Sequence, residues 1–154
     1  MIKVIEQGLI KASCDIVRPY LQPSLGRALH SKYTPKITPD LDTDTEYAIN
    51  LHCEARITIA KETTCVLEAT HYAKIHVSRD MVDNADMLDK ILMVTFPNML
   101  ANDARATISR LSIMAGYPQA VLPVQNFAGV FSQLMANRPP VPSPLELSGA
   151  SHVH

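Results

Sequence analysis

Tryptophan is absent from this 154-residue chain and aromatic residues of every kind make up only 5% of it. A chain of this length is about one domain, so its core must be aliphatic and Met-rich. Neither sign of charge dominates, with 14 Lys and Arg against 15 Asp and Glu. That balance excludes the basic footprint of a nucleic-acid binder and the polybasic anchor of a membrane-surface protein. Affinity for a partner has to come from apolar surface. Long apolar runs are missing too: none approaches the roughly 20 residues a bilayer span requires. The opening MIKVIEQGLIK has neither the apolar segment nor the cleavage site of a signal peptide. The expectation is a cytoplasmic protein without membrane insertion. The cysteines, Cys14, Cys53 and Cys65, are odd in number, widely spaced and without a C-x-x-C pair, which reads as buried thiols in a reducing compartment.

Catalytic signatures are also lacking. The chain has no G-x-S-x-G, P-loop, dinucleotide fingerprint or H-E-x-x-H, and nothing in it calls for a cofactor. His52 and Cys53 are neighbours on a strand pattern and point to opposite faces, as do His71 and His76. His152 and His154 lie in the tail. The DLDTDT run places Asp40, Asp42 and Asp44 together but lacks the turn glycine and bidentate Glu of a calcium loop; it reads as a solvated strand-to-loop face. There are no internal repeats.

What is present is alternation, then helical periodicity. From Ile2 to Val17 the residues Ile2, Val4, Gly8, Ile10, Ala12, Cys14 and Ile16 share one face, predicting a half-buried strand bent at Gly8. Pro19, Pro23, Ser24 and Gly26 predict a loop that continues irregularly through Arg27, His30 and Lys32. Tyr33 to Thr43 is a poorer strand whose Pro35 and Pro39 confine it to a sheet edge. Tyr47 to Ile59 and Thr64 to Val77 alternate cleanly and are joined by a connection short enough for an antiparallel hairpin. Met81 to Phe96 is an acidic turn followed by the cluster Ile91 to Val94 and Phe96, which has no single dry face.

The stretch Pro97 to Phe127 organises the rest. Pro97 and Asn98 read as a helix boundary and cap. Leu100, Ala104, Ile108, Leu111 and Ala115 form one stripe, and Gly116 and Pro118 end the helix. A second apolar set, Met99, Ala106 and Ile113, recurs every seven residues on the other side, so one face serves this subunit and the other looks for a partner. After a crossing loop, Asn126 caps a helix carrying Phe127, Val130, Phe131, Leu134 and Met135. The Pro-rich residues 138–154 read as a disordered tail beyond a domain of residues 1–137. The order strand, strand, strand, strand, helix, helix predicts an α+β fold with helices on one face of an antiparallel sheet.

Pro97, Asn98, Leu100, Ala104, Arg105, Ile108, Gly116, Pro118, Gln119, Leu122, Asn126 and Phe127 resemble, without a gap, the helix, turn and second helix of the SecB family of export chaperones. Pro35 and Lys36 before the DLDT of Asp40 to Thr43, then Glu62, Thr63 and Glu68, agree in order. The resemblance implies a four-stranded antiparallel sheet with a long helix and a shorter C-terminal helix on one face, assembled as a homotetramer, a dimer of dimers. It implies an ATP-independent holdase for unfolded polypeptides, precursors for Sec-dependent export among them, and no enzyme. The client groove it suggests comprises Val66, Tyr72, Leu92, Phe96, Met99 and Phe127. The face for the export motor SecA falls on Glu68 and Val66, with Asp15 from the first strand, and Met99, Ala106 and Ile113 form the oligomer interface. Departures are clear: the family's aromatic-Pro-aromatic triplet stands here as Ala101, Asn102 and Asp103, its paired glycines as Tyr72 and Ala73, and its acidic tail as a Pro-rich one. Two alternatives stay open, a SecB-like chaperone dedicated to one client such as an antitoxin, and a small-molecule-binding domain using an apolar cavity between helix and sheet.

Overall fold

The computed structural model describes residues 1–20 and 27–138. Pro23, Ser24 and Gly26 of the expected loop, and the tail from residue 139, lie outside the described residues. Strands β1 (Ile2–Ile16), β2 (Arg27–Pro39), β3 (Glu46–Ile59) and β4 (Glu62–Val77) form one antiparallel sheet in the order β1-β4-β3-β2. The cleanest alternating segments, β3 and β4, are its centre. Their period of two puts Ile49, Leu51, Cys53, Ala55 and Ile57 with Cys65, Leu67, Ala69, Ala73, Ile75 and Val77 on one face, all buried. The hairpin between them turns on Ala60 and Lys61, both in the left-handed region at φ 52° and 66°.

The edge strands depart from expectation in two places. Arg27 to Lys32 is strand, paired from Arg27↔Ile59 to Lys32↔Glu54, because the backbone of β3 offers partners along its whole length and outweighs weak local signals. β2 is the edge that Pro35 and Pro39 require. In β1 the bend is not at Gly8: register shifts fall between Val4 and Glu6 and between Leu9 and Lys11. Each shift exchanges the faces, so Gln7 and Leu9 lie opposite the buried Ala73 and His71 while Gly8 lies opposite Tyr72 on the outer face. Nor is β1 half-buried. Val4, Leu9 and Ile16 are exposed, because the long helix lies over β3 and β4.

Two short helices, α1 (Arg79–Val82) and α2 (Ala85–Lys90), follow β4, and the chain then stays helical through a π segment, Ile91–Thr95, into α3 (Phe96–Met114). Pro97 is therefore not a boundary, and Asn98 caps nothing. A proline inside an α-helix loses one hydrogen bond and collides with the preceding turn. The widened π turn, with the Phe96 N–H donating to the Ile91 carbonyl, accommodates both and lets the helix pass. The same widening accounts for the apolar cluster without a single dry face: Ile91, Leu92 and Val94 are all buried. Leu100, Ala104 and Ile108 of the expected stripe are fully buried, and α3 ends at Gly116 with φ 79°.

Ala101 and Ala104 of α3 and Ala55, Ala69 and Ala73 of the sheet are buried small residues that let helix and sheet approach closely. The loop after α3 is tied down by polar groups. Ser112 Oγ donates to the Ser109 carbonyl and accepts from the Ala120 N–H at 2.8 Å, and the Tyr117 hydroxyl donates to the Arg18 carbonyl at 2.5 Å. Helix α4 (Phe127–Ala136) is capped by Asn126, whose side chain accepts from the Gly129 N–H. Phe127 anchors it, edge-on to Tyr33 of β2 with ring centroids 6.2 Å apart.

Candidate functional site

The resemblance-based groove residues are not brought together. Leu92, Phe96 and Phe127 are buried at 6%, 5% and 4% exposure in the core cluster that joins sheet, π segment and α4, and Met99 packs half-buried against it. Val66 and Tyr72 lie on the opposite, outer face of β4, where Val66 pairs with Asp15 and Arg56. The Tyr72 hydroxyl donates to Glu6 Oε1 at 2.5 Å, and its ring covers Gly8, where an added Cβ would stand 3.3 Å from it. The alternation of β4 explains the split: Cys65, Leu67, Ala69 and Ala73 face the helix, so Val66 and Tyr72 between them face the other way.

An open apolar groove does exist one layer further out. Met93, Phe131, Leu134 and Met135, with Asp89 and Arg138 at its rim, line a cleft of about 180 Å³ between the α2–π segment and α4. Arg138 and Asp89 approach to 3.9 Å across it. Leu134 and Val130 are exposed at 54% and 43%. Flexible Met and aromatic side chains suit a surface that must accept varied apolar segments. Phe131, Leu134 and Met135 were legible as the apolar side of the last helix; that they face Met93 was not.

On the outer sheet face Glu68 accepts from Ser13 Oγ at 3.1 Å and approaches His52 Nε2 at 3.6 Å, while His52 Nδ1 meets Thr70 Oγ1 at 2.8 Å. Register places Glu54 directly opposite Glu68, a neighbour that the reading of single strands missed. Arg56 holds Glu54 at 2.6 Å and keeps its carboxyl below the usual range. His52, Glu54 and Glu68 are therefore close enough to share a cation, but Arg56 already occupies one of them. Asp15, beside Val66 on β1, completes the expected docking set. Of the expected interface residues, Ala106 and Ile113 are exposed on the outer side of α3, whereas Met99 leans toward the core.

The DLDTDT run resolves as a turn with cationic partners. Asp40 Oδ1 accepts from the Asp42 N–H at 2.9 Å, and that bond, with Lys74 at 3.3 Å, lowers the Asp40 carboxyl below its ordinary value. Asp44 pairs with Arg79. His71 is a satisfied core histidine, its Nε2 at 2.8 Å from Thr107 Oγ1. Cys53 and Cys65 are buried as expected, but Cys14 is exposed, a consequence of the uncovered β1. No helix among the described residues is long and apolar enough to cross a membrane.

The site is thus a four-stranded antiparallel sheet under a long interrupted helix, with a Met-lined groove beside a short one. The model of the SecB family, preprotein translocase subunit SecB, matches residues 17–138, and the chain belongs to that family, a class of chaperones and not of enzymes. The fold is similar to that of the Mycobacterium tuberculosis Rv1957 SecB-like chaperone in complex with a ChAD peptide from the Rv1956 HigA1 antitoxin. The two share 13% identity at a TM-score of 0.67, over 81% of this chain and 91% of that one. Among curated proteins no sequence matches.

Proposed function

We propose that this chain is an ATP-independent holdase that keeps unfolded polypeptides from aggregating, and that it works in the cytoplasm as a homotetramer arranged as a dimer of dimers. The observation that carries this reading is the open groove of Met93, Phe131, Leu134 and Met135 on a SecB-family fold. An unfolded client presents apolar segments in no fixed order, which a groove of adaptable side chains can hold where a shaped pocket cannot. Several grooves on one assembly add avidity. Leu92, Phe96, Met99 and Phe127 form the floor beneath that groove and set its position; they are not its lining.

Precursors for Sec-dependent export are the first client class. Glu68, Val66 and Asp15, joined by Glu54, are the proposed face for SecA. Arg56 beside those acids weakens the field that would draw in a basic partner. That weakening favours a second reading, a chaperone dedicated to one client such as an antitoxin, as in the complex of the M. tuberculosis relative. The deciding experiment follows light scattering of several chemically unfolded proteins, with and without the purified chain and without nucleotide. Suppression of all of them at near-stoichiometric tetramer supports the general holdase, and suppression of none refutes it in favour of the dedicated chaperone.

A further inference from the structure

Cys14 of β1 and Cys65 of β4 have their sulfurs 4.0 Å apart. Ladder register makes this contact a property of the fold: Cys14 lies opposite Leu67 and Cys65 opposite Ile16, so the two cysteines are diagonal neighbours on the helix-side face of one antiparallel pair. Their surroundings differ sharply. Cys65 is fully buried in the core cluster with Leu67, Ile108 and Tyr117, whereas Cys14 is exposed on the strand that α3 leaves uncovered. Cys53, the third cysteine, is buried on β3 opposite Ala69, away from this diagonal.

We propose that Cys14 and Cys65 form an oxidation site, in which a hydroperoxide reacts at Cys14 and Cys65 resolves the product into a reversible intramolecular disulfide. The Cys14 thiolate attacks a peroxide oxygen, the O–O bond breaks and the alkoxide or hydroxide leaves with a proton, giving Cys14 sulfenic acid. The Cys65 sulfur then attacks the Cys14 sulfur, its proton leaves with the expelled hydroxide as water, and the S–S bond forms. Two thiols and one hydroperoxide thus give one disulfide, one alcohol or water, and one further water. Bonding distance is about 2.05 Å, so the sulfurs must close by roughly half their separation, and for diagonal neighbours this takes a shift of the edge strand toward β4 as well as rotation of the Cys14 side chain. The order of events follows from burial, which pushes the Cys65 thiol up to about 12, with Cys14 and Asp15 adding to the effect, and leaves the accessible thiol to meet oxidant first.

The bond would join the uncovered edge strand to the centre of the sheet near its end, where Val17 and Arg18 donate to the Thr64 carbonyl at 2.9 and 3.1 Å. The test uses the full-length reduced chain, treated with hydrogen peroxide and then alkylated. Intact mass and peptide mapping should show two of three thiols lost to a Cys14–Cys65 link, Cys53 still alkylated, and full return with dithiothreitol. Cys65→Ser should stop the reaction at a Cys14 sulfenic acid captured by dimedone, and Cys14→Ser should leave both remaining thiols free. If Cys65→Ser does not fold, Cys65→Ala serves the same purpose. Disulfides only between chains, equal oxidation of Cys53, or no dimedone adduct at Cys14 in the Cys65 variant would each overturn the proposal.

Discussion

Ala60 and Lys61 carry the β3–β4 hairpin with both residues at positive φ, where a Cβ crowds the backbone at a cost of about 1–2 kcal/mol per residue. This turn type favours Asn-Gly, because both of its central residues must hold a positive φ. Lys61→Gly should therefore raise the urea unfolding midpoint, by an amount equal to about 1 kcal/mol, with an unchanged slope. A larger slope change than midpoint change would locate the effect in the unfolded chain. His71 makes a prediction of opposite sign on acidification. Burial beneath α3 lowers its affinity for a proton below that of an ordinary imidazole with pKa 6.5, and Asp103 only partly offsets this. The unfolded chain then takes up the proton first, so this residue's contribution to stability is lost as pH falls below that ordinary value. Urea midpoints compared at about pH 7.5 and about pH 5.5 should fall less in His71→Gln than in the parent.

Helix α4 is held at one end and open along its side, and this division separates stability from binding. Phe127, at 4% exposure, packs against Tyr33 and the core cluster, so Phe127→Ala should cost about 3–5 kcal/mol and be seen as early thermal unfolding. Leu134 is 54% exposed at the groove. Leu134→Glu should leave stability within about 0.5 kcal/mol yet abolish most client holding in the scattering assay, because it places a charge where an apolar segment must dock. Equal loss of holding without the change of charge, in Leu134→Gln, would still fit the groove; full activity in both variants would move the binding surface elsewhere. Along the same helical layer, the π segment is what allows Pro97 to sit inside a continuous helix rather than begin one.

For the whole molecule, the uncovered surfaces point outward in two directions. Ile113 and Met114 at the end of α3 are exposed at 56% and 83%, and the first half of β1 leaves Val4 and Leu9 open. Such apolar area on one subunit argues for self-association. Multi-angle light scattering should report a tetramer, and Ile113→Asp should shift it to smaller species while far-UV circular dichroism stays unchanged. A parent that is a monomer at micromolar concentration would contradict this assembly. The two central strands, the stripe of α3, the Gly116 stop and the Asn126 cap were all legible in the sequence, because period and capping are local and each residue's neighbours along the chain suffice to state them. Four things were decided only by the tertiary structure: the strand character of Arg27 to Lys32, the double shift of β1, the passage of the helix through Pro97 and the meeting of Met93 with Met135. Each depends on a partner distant in the chain, whether the hydrogen-bonding edge of β3, the register of β4, the core that holds a widened turn or the packing of one helix on another. Spacing along one segment carries no information about the surface that segment will meet.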